Sequence, residues 1–140
     1  MSVFRSIMLA HHQLHAEARR TAARYGLHIA ELNVIDMLGK LGPITMGALS
    51  CATFISSANT THTVKKLEMR GYVQRQRCRT SRREVEVSLT PSGKRLFCTC
   101  YPGIVGAMEQ RLATLSMAQR QTLVALLGRI ISAAAESDPT

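Results

Sequence analysis

Between Gly71 and Pro91 the hydrophobic rhythm of the chain switches from helical to strand-like and then back. Before the switch, Thr60, Val64 and Leu67 fall at i, i+4 and i+7, one face of a helix that Gly71 stops. Tyr72–Arg77 and Glu84–Leu89 then alternate, most clearly in Val85-Glu86-Val87-Ser88-Leu89, and Cys78-Arg79-Thr80-Ser81-Arg82-Arg83 joins them. Thr90-Pro91 restarts a helix, with Thr as N-cap and Pro at the first position. A lone hairpin is at best marginally stable in water, so this one must lie against the helices on either side of it. The fold class follows: mainly α, with a small β-hairpin.

The other segments read as helices. In residues 2–25 Val3, Ile7, His11, Leu14, Ala18, Ala22 and Tyr25 recur at helical spacing, with Gly26 as the stop. A second helix is predicted over 29–40, ended by Gly39, Gly42 and Pro43. A third follows the N-cap Thr45, Phe54-Ile55 makes a turn, and Ser56 caps the fourth, 57–70. The helix from Pro91 is expected to reach about 113 with a kink at Pro102-Gly103. Ser116 caps the last, whose Leu123, Leu126, Leu127, Ile130 and Ile131 form one apolar stripe, with 133–140 expected to fray. At 140 residues this is one domain. Residues 28–90 form a lobe of short helices and hairpin, framed by long helices over 1–27 and 91–137.

Charge is concentrated in that lobe. The chain carries +9, with a pI near 10.1, and Lys65 to Arg95 hold ten basic residues against three acidic ones. A localised excess of this kind is the footprint of a polyanion partner. No apolar run approaches the ~18 residues of a membrane span, and no export signal is visible, so a cytoplasmic address with reduced cysteines and no membrane partner is expected. No P-loop, G-x-S-x-G, H-E-x-x-H or dinucleotide glycine fingerprint occurs, so neither an enzyme nor a bound cofactor is expected.

Two short helices joined by a tight turn, then a basic hairpin, make a winged helix-turn-helix. The fourth helix offers Ser56, Ser57, Asn59, Thr61, His62, Lys65 and Lys66. These are short hydrogen-bonding groups at its start, suited to base edges in a major groove, and cations further along, suited to phosphate. The hairpin adds Arg75, Arg79, Arg82 and Arg83, which can enter a minor groove, with Glu84 and Glu86 placed to steer neighbouring arginines. The partner these residues imply is double-stranded DNA.

The run LSCATFISSANTTHTVKKLEMRGYVQRQRCRTSRREVEVSLTPSGKRL resembles the core of the MarR family of bacterial transcription regulators. Leu49, Ser56, Leu67, Glu68, Gly71, Val73, Arg75, Arg82, Arg83, Val87, Leu89, Thr90 and Gly93 fall at the family's spacing, and LSMAQRQTLVALLGRI resembles its dimerisation helix. Three positions depart from the pattern. Ser81 replaces an Asp that braces the wing, Phe54 stands where the turn usually has a small residue and is expected to fill a pocket, and Lys65 replaces an acid. The resemblance implies a homodimer on a pseudo-palindromic operator, acting as a repressor that a small organic effector releases. The apolar stripes of the first and last helices also call for a partner.

The signal is less constrained. Tyr25, His28, Ile29, Met37, Met46 and Phe54 are candidate residues of an effector cleft. Cys78, among arginines that should lower its pKa, makes a redox-sensing regulator of the same fold an alternative, with Cys98 and Cys100 as further thiols and Cys51 as a small core residue. His11, His12 and His15 have chelating spacing, with Glu17 as the one suitably spaced acid, but they also fit a polar helix face, so no metal site is assigned. A rival of another class is an architectural DNA-binding protein that senses nothing.

Overall fold

Six helices begin on side chains that satisfy orphan N–H groups. In the computed structural model, which describes residues 1–136, α1 (Val3–Arg24) starts on Ser2 and α2 (Ile29–Leu41) on His28. At α2 the cap is reciprocal: His28 Nδ1 accepts from Ala30 N–H, and Glu31 Oε2 accepts from His28 N–H at 2.8 Å. Thr45 caps α3 (Met46–Thr53), Ser56 caps α4 (Ser57–Met69), and Thr90 caps α5 (Pro91–Leu112). Ser116 Oγ accepts from Gln119 N–H at the start of α6 (Met117–Glu136). Gly26 and Gly71 both take positive φ where the chain leaves α1 and α4.

The hairpin is β2 (Val73–Arg77) against β3 (Val85–Leu89), antiparallel, with Val73 opposite Leu89 and Arg77 opposite Val85. A third strand joins it. β1 (Ile44–Thr45) pairs antiparallel with β3, Ile44 opposite Val87, which gives the order β1-β3-β2. Two residues carry no period, so nothing local announces this strand.

The lobe's core gathers Val34, Ile35 and Leu38 of α2, Leu49 of α3, Val64 and Leu67 of α4, and Val73, Val87 and Leu89 of the sheet. A second cluster, Ala22, Leu27, Leu32 and Cys100, joins α1 to α2 and α5. α5 passes unbroken through Pro102, and Gly103 leaves room for the Tyr25 hydroxyl, which an added Cβ would meet at 2.2 Å. α6 packs extensively on no other element. Among the described residues, no helix is long and apolar enough to cross a membrane.

Four expectations are corrected here. Cys51 is exposed rather than in the core, because the buried face of α3 is taken by Leu49 and Thr53. Phe54 fills no pocket: it caps α3 in the left-handed conformation and its ring is 96 % exposed. The helix does not fray at 133 but continues to Glu136, while 137–140 lie outside the described residues. The short sheet has three strands rather than two.

Candidate nucleic-acid interface

Burial of Thr60, Thr63, Val64 and Leu67 decides which face of α4 is free. Ser57, Asn59, Thr61, His62, Lys65 and Lys66 all lie exposed on the remaining surface. Ser56 is committed locally, its hydroxyl accepting from Asn59 N–H at 3.3 Å. Thr61 donates its hydroxyl proton to the Ser57 carbonyl at 3.0 Å, which leaves the oxygen free as an acceptor. Among the described residues neither lysine has a carboxylate partner.

The wing divides its arginines between two roles. Arg77, Arg79, Arg82 and Arg83 are exposed, and none forms an ion pair among the described residues. Arg75 is engaged: its Nε and Nη2 donate to Glu68 Oε2 at 3.0 and 2.7 Å, tying the last turn of α4 to β2. Glu84 and Glu86 therefore do not steer the wing arginines through ion pairs; the acid that holds one is Glu68. Arg70 is also engaged, donating to Glu31 at 3.3 Å and to the Gly26 carbonyl at 3.2 Å, with its guanidinium over the Tyr72 ring. Ser81 partly replaces the missing brace of the loop, its hydroxyl and carbonyl accepting the N–H groups of Arg83 and Glu84, each at 3.4 Å. Arg77 was not among the residues singled out from sequence, although strand alternation places it on the outer surface beside Arg75.

The lowered pKa expected for Cys78 is corrected. The Cys78 thiol is pushed up, not down: partial burial disfavours the thiolate, and Glu86 and Glu84 add like-charge repulsion that the arginines do not offset. Cys100 is fully buried in the second cluster and is likewise raised by desolvation, whereas Cys98 faces solvent. All four cysteines are free thiols.

The candidate effector residues are not brought together. Tyr25 and Ile29 pack on the second cluster, and Met37 and Met46 on the lobe's core. Only His28 and Phe54 share a recess, of about 480 Å³, with Asn59, His62 and Lys66. A cavity of about 540 Å³ lies elsewhere, where Leu38 and Pro43, Gln74 of β2, and Lys94, Phe97 and Cys98 of α5 converge. The His11 and His15 rings lie 5.6 Å apart, but no group of three or more metal-ligating side chains assembles among the described residues.

A short helix with a free polar face, set beside a three-stranded sheet whose hairpin carries unpaired arginines, defines a winged helix-turn-helix of the DNA-binding class. Residues 27–85 match the model of the MarR family. A curated relative, "Uncharacterized HTH-type transcriptional regulator YcgE" of Bacillus subtilis (strain 168), is 38% identical over 76 residues. That match covers 54% of this chain and 49% of the relative, so the chain spans about half the relative's length. A probable transcriptional regulator from Pseudomonas aeruginosa is 26% identical with a TM-score of 0.79, covering 92% of this chain and 96% of that one. Bordetella bronchiseptica BpsR, whose structure concerns regulation of DNA binding by 6-hydroxynicotinic acid, shares the fold with a TM-score of 0.81 at 24% identity, over 91% of this chain and 97% of its own.

Proposed function

We propose that this chain is a sequence-specific DNA-binding regulator that works as a homodimeric repressor and is released by a small organic effector. The carrying observation is the pairing of a free α4 surface with four exposed wing arginines, Arg77, Arg79, Arg82 and Arg83, that form no ion pair among the described residues. In this reading residues 28–90 grip DNA, while 1–27 and 91–137 hold two copies together. Ser57, Asn59, Thr61 and His62 face base edges, and Lys65, Lys66, Arg79, Arg82 and Arg83 neutralise phosphate or enter the minor groove. Arg75 acts one step back, by holding β2 on α4. Two-fold symmetry then sets the half-sites roughly 34–36 Å apart.

The cavity between α2, the sheet and α5 suits an effector better than the six residues picked from sequence. It has an apolar floor, one cation in Lys94 and an amide in Gln74, and it touches both the lobe and the helix that leaves it. A ligand there would favour one setting of the wing relative to α5, which is the differential affinity that release requires.

Selection from a random duplex pool tests the DNA reading. A specific regulator retains a preference of at least ~10³ over random DNA at raised salt, whereas an architectural binder does not. Arg82→Ala should weaken binding and flatten the dependence of log K on log salt by about one unit, leaving oligomeric state unchanged. An unaltered slope would remove Arg82 from the interface.

A further inference from the structure

Phe54 is costly to the chain that contains it. Apart from glycines it is the one residue among those described with positive φ, at 55°. That conformation crowds the Cβ of any L-residue, and a large side chain is rare there. Glycine would adopt it without strain. The ring gains no packing in return, being 96 % exposed. Strain held at a position that contributes nothing to the core points to use by something outside the chain.

The position of the ring narrows what that is. Phe54 lies two residues before Ser56, the cap of α4, at the end of the helix proposed to enter the major groove. Beside it opens the recess shared with His28, Asn59, His62 and Lys66. Glu31 also borders the recess, but its carboxylate is held by Arg70 and by the His28 N–H, so the unpaired charge there is that of Lys66. A single phenyl beside one unpaired cation suits duplex DNA better than an apolar protein face. In the major groove the base edges present donors, acceptors and one apolar group, the 5-methyl of thymine.

We propose that Phe54 is a specificity-determining residue that packs its ring on the methyl group of one thymine in each half-site, with the neighbouring phosphate seated toward Lys66. The proposal rests on the DNA-binding reading and deepens it.

Once the preferred duplex is known, each thymine is replaced in turn by deoxyuridine, which removes only the methyl. Wild-type protein should lose affinity roughly fourfold at one position per half-site, the worth of one buried methyl-sized group. Phe54→Gly should bind more weakly, ignore that replacement, and unfold at an equal or higher temperature. A wild-type profile flat at every thymine overturns the proposal, as does a Phe54→Gly protein that still discriminates thymine from uracil. These outcomes leave the DNA reading intact as long as Arg82→Ala still lowers the salt slope. If wild-type protein prefers no duplex, the underlying reading falls, and this proposal falls with it.

Discussion

Glu17 accepts from two arginines on different helices. Its Oε2 lies 2.7 Å from Arg20 Nη2 and 2.6 Å from Arg111 Nη2, so one carboxylate fastens the middle of α1 to the end of α5. The hydrogen bonds from Arg20 and then Arg111 hold its pKa at about 2, against an ordinary 4.5. A carboxyl lowered by folding stabilises the native state above its unfolded pKa, and that contribution fades as pH falls from about 4.5 toward 2. Glu17→Gln should therefore melt below wild type at neutral pH, with the two melting curves converging as the pH drops through that window. A constant gap across it would mean that Glu17 acts by packing. The same residue-scale bookkeeping separates Arg75 from Arg82. They are alike in sequence and both sit in the basic run, but only Arg75 has a carboxylate within reach.

At the level of elements, α5 starts against β2 because one glycine lets it. A Cβ on Gly93 would come within 1.9 Å of the Tyr72 carbonyl oxygen, the atom that also accepts the Thr90 N–H at 3.1 Å. The obstacle is backbone, so it cannot rotate away. Gly93→Ala should cost about 1–3 kcal/mol by overpacking, seen as a lower thermal midpoint and a loosened wing. An unchanged midpoint would show that α5 shifts freely on the lobe. Gly93 was visible in the sequence as part of the family spacing, but its reason was not, because Tyr72 approaches it only in the fold. Local signals were legible wherever the cause is local. Thr45, Ser56 and Thr90 cap the helices they precede, and Gly71 ends α4. The causes that were hidden are long-range: Ile44 becomes a strand because Val87 lies beside it, Glu68 claims Arg75 across the α4–β2 corner, and burial, with Glu86 and Glu84, raises the Cys78 thiol. The free face of α4 was legible from its period. The exposure of Phe54 was not, because a large aromatic in a turn ordinarily points inward.

Among the described residues, the last helix packs extensively on no other element. Val124, Leu126, Ile130 and Ile131 of α6 are exposed, as are Val3, Phe4 and Met8 at the start of α1. Arg120 fixes the direction in which α6 departs: it pairs with Glu109 and donates to the carbonyls of Leu115 and Leu112 at 3.2 and 2.9 Å, which satisfies the end of α5. In the proposed homodimer, a two-fold contact would bring these exposed apolar faces together. Each copy carries +9, which opposes association, but ten of the eighteen basic residues lie between Lys65 and Arg95, in the lobe and the start of α5 rather than on α6. At physiological salt, charges more than about 8 Å apart are largely screened, so the apolar contact should prevail. Leu126→Asp with Ile130→Asp should give a monomer by sedimentation, still folded in its lobe because α6 contributes nothing to that core. Each monomer would engage one half-site, so operator affinity should collapse and the salt slope fall toward half its dimeric value. If the doubly substituted chain still sediments as a dimer, the interface lies away from α6, and if the monomer holds the full site as tightly as wild type, the two lobes do not act together.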